Sequence, residues 1–224
     1  VLRTSPHRAQ YVAQGIVCPQ EFVIDSHIKE IGDSIKKAEG IFTLKTNELE
    51  KLKLNNKEKE IIKPLYTTDE LHRYYGNPKN KLWVIYSDIN VRKNIKDYQK
   101  IKNHLERFKK VITSDFKPYG LHRAREQRFF EGEKIISLRK TPEPYFTYTN
   151  FPCYVTQTYF IIKPEDINLK FLTGLLNSKL IHFWLRYKGK KQGEQLQIDK
   201  APLLEIPLIK QEDEQIIKNV DLII

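Results

Sequence analysis

A long apolar stripe near the C-terminal end constrains this chain more than any other feature. Between Ile167 and Tyr187, Leu172, Leu175, Leu176, Leu180, Phe183 and Trp184 recur three and four residues apart. That spacing predicts one amphipathic helix, started by Asp166 or Asn168 as an N-terminal cap. Phe183 and Trp184 are read as core side chains of that helix, not as base-stacking groups. A single apolar face must be buried. Lys134–Leu138 and Tyr154–Ile162 run apolar or alternate over strand lengths, joined through Pro142, Pro144 and Asn150. Leu82-Trp83-Val84-Ile85-Tyr86 reads as a buried strand of the first half. An α+β chain is expected.

The remaining segments are shorter. Tyr11 to Ile24 reads as strand, turn, strand, with Gly15 where a side chain would block the backbone. Thr46–Leu54 is a short helix with Leu49 and Leu52 inward, and Asn56 caps a second that Pro64 ends. From Asp97 the period changes: Tyr98, Ile101, Leu105, Phe108 and Ile112 share one helical face, until Pro118-Tyr119-Gly120 breaks it. Gly189-Lys190-Lys191-Gln192-Gly193 reads as a flexible cationic loop, and Leu203–Ile209, with Pro202 and Pro207, as an edge strand. Glu212–Ile224 begins a helix with Ile216, Ile217, Val220, Ile223 and Ile224 on one side. The expected organisation is one domain over residues 1–209, with a sub-boundary near 88–96, and the start of a C-terminal helix at 210–224. The chain is expected to be a fragment of a longer protein. It has no methionine, which raises the expectation of omitted residues and gives short motifs more weight than long spacings.

Charge narrows the partners. The formal net charge is +11 and the pI near 9.4, which favours polyanions. The charge concentrates between Lys100 and Phe130. Lys100, Lys102, Arg107, Lys109, Lys110, Lys117, Arg123, Arg125 and Arg128 face only Glu106, Asp115 and Glu126 there, among Phe108, Phe116, Tyr119, Phe129 and Phe130. Cations release counterions from phosphates, and flat rings stack on bases. No apolar run approaches the roughly 18 residues that span a bilayer, so no membrane partner is expected. Cys18 and Cys153 have no metal-ligand spacing and read as reduced thiols of a cytoplasmic protein. Phosphate-loop, dinucleotide, zinc-protease and nucleophile-elbow motifs are absent. Asn77-Pro78-Lys79-Asn80 reads as a turn. Asp88, Asp115 and Lys117 leave a small metal-dependent nuclease open as an alternative, and an RNA-binding or protein-interaction module is a further one.

Read in order, the second half carries a resemblance. Asn94–Phe108 precedes Leu121-His122-Arg123-Ala124-Arg125, then Lys134-Ile135-Ile136, Tyr159-Phe160-Ile161-Ile162, Leu172–Leu180 (LTGLLNSKL) and Leu204-Glu205-Ile206-Pro207-Leu208. This succession resembles the TaqI-like C-terminal specificity domain, the target recognition domain of adenine-specific DNA methyltransferases and fused type IIG restriction-modification enzymes. It covers Asn94 to Ile224 and extends to Gly15-Ile16-Val17, Lys63-Pro64-Leu65 and Leu71-His72-Arg73-Tyr74. The chain has Cys18-Pro19 where members commonly show Thr-Gly, and Tyr119 where they often place Trp.

The resemblance implies a mixed β-sheet recognition domain with flanking helices and the start of a helical spacer. It implies sequence-specific binding of double-stranded DNA by a fragment that is not itself an enzyme and holds no cofactor or metal. The parent is expected to be an N6-adenine methyltransferase, its catalytic domain on the same polypeptide, using S-adenosylmethionine and, if fused to an endonuclease, magnesium. The candidate DNA-binding residues are Lys117, Tyr119, Arg123, Arg125, Arg128, Lys188, Lys190, Lys191 and Gln192. Arginines leaving a helix-breaking turn can reach base edges, while Lys188, Lys190 and Lys191, with Lys109 and Lys110, suit phosphates. An ion pair of Arg125 with Glu126 or Glu131 is the structural alternative for that arginine.

Overall fold

A computed structural model of the protein describes residues 10–114, 116, 118–208 and 211–224. Its strands are β1 (Val12–Gln14), β2 (Thr43–Lys45), β3 (Ile62–Leu65), β4 (Tyr74–Tyr75), β5 (Leu82–Ile85), β6 (Lys134–Leu138), β7 (Lys140–Thr141), β8 (Phe146–Thr149), β9 (Tyr159–Ile162), β10 (Lys190–Gln192) and β11 (Gln195–Gln197). Its α-helices are α1 (Asp25–Ile31), α2 (Thr46–Lys51), α3 (Asn56–Glu60), α4 (Ile89–Lys93), α5 (Gln99–Glu106), α6 (Leu169–Leu176), α7 (Lys179–Lys188), α8 (Lys200–Glu205) and α9 (Glu214–Asp221). The class is α+β. The chain divides into two compact units whose segments interleave: Ile16–Tyr66 with Asn80–Arg125, and the described residues up to Gly15 with Thr67–Lys79 and Glu126–Ile224.

In the 16–66/80–125 unit, β5 is the centre of an antiparallel sheet ordered β2-β5-β3. Pro64 does not simply stop the preceding helix; it sits in β3 opposite Trp83, on an edge strand where its missing N–H costs no ladder bond. Asn55, not Asn56, caps α3: its side chain accepts from Glu58 N at 2.9 Å, and Glu58 Oε2 returns to Asn55 N at 3.0 Å. Glu58 is fully buried, and its other oxygen accepts from Lys100 N at 2.6 Å at the start of α5. One carboxylate thus satisfies backbone donors at the first turns of two helices, where a negative charge is favoured. Helix α5 buries Ile101 and Leu105, with Phe108 and Ile112 following it into the core. His104 is also buried, its ring Nε2 bonded to Ile41 O at 2.9 Å, and burial holds its pKa below the ordinary value.

The other unit is built on a mixed sheet ordered β1-β9-β6-β8-β4, antiparallel except for the parallel β4·β8 pair. A small antiparallel sheet, β10-β11-β7, accompanies it. Gly15 follows β1, donating to Tyr159 O at 3.0 Å; a Cβ there would lie 2.2 Å from Thr156 O and 2.4 Å from Val155 O. That is the close approach the sequence predicted at this glycine. The core joins Ile135, Phe146 and Phe160 of the sheet to Phe171, Leu172 and Leu176 of α6 and to Ile181 and Leu185 of α7. Helix α9 packs against α6 at Gly174, where a Cβ would come 2.5 Å from Ile216. Lys170 Nζ ties the pair to Asp221 at 2.5 Å.

Four expectations need correction here. The helix predicted over Ile167–Tyr187 is two helices, broken at Asn177-Ser178. Asn168 caps the first through Lys170 N and Phe171 N, and Ser178 caps the second through Ile181 N. The break exists because the buried Asn177 side chain acts as a short piece of strand. Its Oδ1 accepts from Phe146 N at 3.1 Å and its Nδ2 donates to Phe146 O at 2.8 Å. The stripe also divides: Leu172, Leu175 and Leu176 are buried and Trp184 packs on the core, but Leu180 and Phe183 face outward. The loop Gly189–Gly193 is a hairpin strand, β10, turning at Gly193 with φ +64°. Leu203–Ile209 is not an edge strand. Its described part forms the end of α8 and an irregular segment after it, and Ile209 lies outside the described residues. Pro202 is tolerated because it stands in the first helical turn, whose N–H groups have no intrahelical acceptor. The predicted strand from Tyr154 is regular only over Tyr159–Ile162.

Candidate nucleic-acid interface

The stretch after the helix-breaking turn is held to its unit at nearly every residue. Tyr119 OH donates to Glu106 Oε1 at 2.6 Å; burial and that carboxylate push the phenol up to about 12. Gly120 donates to Phe116 O and Leu121 to Ser87 O, and Leu121 is buried. Arg123 exchanges two backbone hydrogen bonds with Val17, at 3.0 and 3.3 Å. Arg125 adopts φ +69°, and its carbonyl accepts from Tyr86 OH. A non-glycine residue takes that conformation only where its surroundings impose it. Burial, and then the charge of Arg123, lowers the Arg125 pKa. Arg123 itself is exposed and Arg125 half-buried. A cationic loop that is already ordered gives up little conformational entropy when it binds.

Sequence reasoning missed Arg92. Its guanidinium lies over the Phe116 ring at 3.8 Å, and Gly120 leaves room for the stack, since a Cβ there would meet Phe116 Cβ at 2.8 Å and Arg92 Cδ at 3.1 Å. No local pattern joins positions 92, 116 and 120, so no signal in the sequence marks them as neighbours.

Much of the basic run is engaged within the protein. Arg107 pairs with Glu39 at 2.8 Å, Lys102 approaches Glu106 at 3.7 Å, and Lys100 Nζ donates to Lys53 O. Lys109 and Lys110 are exposed. Arg128 lies in the other unit, where its Nε binds Glu126 Oε2 at 2.7 Å and its guanidinium covers Phe129 at 4.6 Å. Glu126, considered as a partner for Arg125, pairs with Arg128. Lys188 is exposed at the end of α7, and Lys190 and Lys191 on β10. Lys190 reaches only 3.8 Å from Asp199, whose carboxylate already takes Arg139 at 3.1 Å. Gln192 contributes its backbone to β10 opposite Gln195. Lys117 lies outside the described residues, as does Asp115 of the nuclease alternative. The third residue of that alternative, Asp88, caps α4 by accepting from Asn90 N and Val91 N, both at 2.9 Å. Burial pushes the Cys153 thiol up to about 12 and raises that of Cys18 as well, so neither is poised as a nucleophile. Among the described residues no group of His, Cys, Asp and Glu is placed to hold a metal, and no helix is long and apolar enough to cross a membrane.

The family model of the TaqI-like C-terminal specificity domain matches residues 63–208, well over half of the chain. The chain belongs to that family. The match includes Arg123, Arg125, Arg128 and the hairpin lysines. No curated protein matches the chain. Among solved structures, the type IIL restriction-modification enzyme MmeI, determined in complex with DNA, superposes over 94% of this chain with a TM-score of 0.62 and 10% identity. The specificity domain spans only 26% of the MmeI chain. At that identity the likeness is one of fold, and it agrees with the mixed-sheet α+β architecture.

Proposed function

We propose that this specificity domain is the DNA target-recognition module of a restriction-modification protein, with Arg123 and Arg125 reading base edges and Lys188, Lys190 and Lys191 positioning phosphates. One observation carries the assignment: Arg123 is an exposed arginine whose main chain is pinned in both directions to Val17, within the segment the family model covers. A guanidinium on a fixed backbone can donate two parallel hydrogen bonds to guanine O6 and N7, which a mobile lysine cannot match. Tyr119, Arg128 and Gln192 are assigned supporting DNA contacts, and Lys117 a phosphate contact. The parent protein would add an N6-adenine methyltransferase domain on the same polypeptide, with S-adenosylmethionine as its cofactor, in the cytoplasm. An endonuclease requiring magnesium is the further option for such a parent. The domain by itself is proposed to have no catalytic activity.

Selection from a degenerate duplex pool, followed by titration at several salt concentrations, tests this reading. About four phosphate contacts predict a log–log salt slope near −3 to −4. Arg123→Ala should relax the preference at one base position, at roughly 1–3 kcal/mol. Lys190→Ala should weaken all sequences alike and reduce the slope by about one. Equal, sequence-blind losses from both substitutions would reject direct readout by Arg123. Absence of duplex binding at low salt would reject the DNA assignment.

A further inference from the structure

Helix α7 is apolar on two sides, and only one of them is covered. Ile181 and Leu185 are buried, and Trp184 packs beside them on the core. On the outer side Leu180, Phe183 and Tyr187 are 64%, 62% and 75% exposed. A helix hydrophobic on both sides is ordinarily buried on both, and a contiguous exposed apolar patch marks a contact surface. Lys179, Arg186 and Lys188 rim this one, all exposed. From Lys179 to Gly193 the chain has five cations, these three with Lys190 and Lys191, and no carboxylate.

We propose that this face docks an amphipathic helix of a partner protein or domain, one whose apolar seam is flanked by Asp or Glu. Leu180, Phe183 and Tyr187 stand at the a, d and a positions of a heptad, and Lys179 and Arg186 fall at successive g positions beside them. That is the pattern of a seam with charged flanks that select the partner by sign. A second copy of the same face would set these cations against one another. Nucleic acid suits the rim but not the stripe. The Phe183 and Tyr187 rings lie 4.6 Å apart at 46°, a tilted pair that does not form a flat platform for a base. The stripe also begins with Leu180, which offers nothing to a base. The inference is independent of DNA reading by Arg123.

Fluorescence anisotropy tests it with the whole chain and two synthetic helical peptides, both with Leu at a and d, one with Glu at e and g and the other with Lys. The Glu peptide should bind saturably with a Kd of about 1–100 μM, and the Lys peptide should not bind. The triple substitution Leu180→Ser, Phe183→Ser and Tyr187→Ser should weaken the Glu peptide roughly ten-fold or more. Because these side chains are exposed, the melting temperature and duplex affinity should stay unchanged. Equal binding of both peptides, or none up to about 1 mM, overturns the proposal. It is overturned equally if the triple variant loses duplex affinity, which assigns the face to nucleic acid, or if it abolishes self-association in sedimentation, which assigns it to a second copy.

Discussion

Asn177 offers the sharpest test of how this domain is held together. Its side chain is 1% exposed and occupies both backbone groups of Phe146, which is itself fully buried. Strand β4 pairs with Thr147 and Tyr148 of β8 but stops short of Phe146, so the amide takes the place of the next strand residue. Asn177→Ala would leave a buried N–H and a buried C=O without partners. Each costs roughly 1–3 kcal/mol, so the loss should be about 2–6 kcal/mol. Thr173 O, the other acceptor of the amide, keeps the Asn177 backbone N–H at 3.1 Å and adds little to the cost. With a urea m-value of about 2–3 kcal/mol/M, the midpoint should fall by about 1–3 M. Asn177→Asp separates donor from acceptor. One oxygen still accepts from Phe146 N, but the other then faces two carbonyl oxygens. Those carbonyls favour the protonated acid, which can donate to one of them. The folded-state pKa of the new carboxyl therefore lies above its unfolded value near 3.9. The defect of this variant relative to the native chain should be largest above the folded pKa and shrink as pH falls through it. A loss below about 0.5 kcal/mol for Asn177→Ala would refute the strand-mimic account, as would a pH-independent defect for Asn177→Asp.

Gly15→Ala should cost about 1–3 kcal/mol, because the new methyl meets two backbone carbonyls that cannot swing aside; an unchanged melting curve would contradict this. Lys134 is fully buried, donates to Gly132 O and Phe151 O, and has its pKa lowered from 10.5 to about 8 by burial, with Lys163 adding repulsion and Cys153 and Glu131 opposing. The unfolded chain therefore binds more protons between those values. Stability should be flat below about 8 and rise toward pH 10.5, by on the order of 3 kcal/mol. Urea titrations at several pH values, with Lys134→Met as reference, would show it; a difference that does not change with pH would remove the argument.

The fold was legible wherever a local rule decides. Gly15, the helix face of Ile101, Leu105 and Phe108, and the buried strand at Val84 and Ile85 all follow from residue type and spacing. The ordered pieces from Asn94 to Leu208 carried the family. The errors share one cause. Asn177, Pro202 and Gly193 each suit more than one local structure, and distant partners chose among them. A mid-helix Asn became a strand substitute because Phe146 lacked a neighbour, and a cationic loop became β10 because Gln195–Gln197 pairs with it. Leu180 and Phe183 belong to the predicted stripe by spacing, yet the break at Asn177-Ser178 separates them from the part that reaches the core.

The candidate site divides in the same way. Composition by itself determined that the chain suits a polyanion, because net charge acts at long range and needs no geometry. Which cations remain for that partner was a tertiary decision. Glu39, Glu106 and Glu126 take up Arg107, Lys102 and Arg128 in ion pairs, while Val17 and Tyr86 hold the backbone of Arg123 and Arg125 in place. Opposite charges cancel only where folding brings them within a few ångströms, and no count along the chain reports that distance.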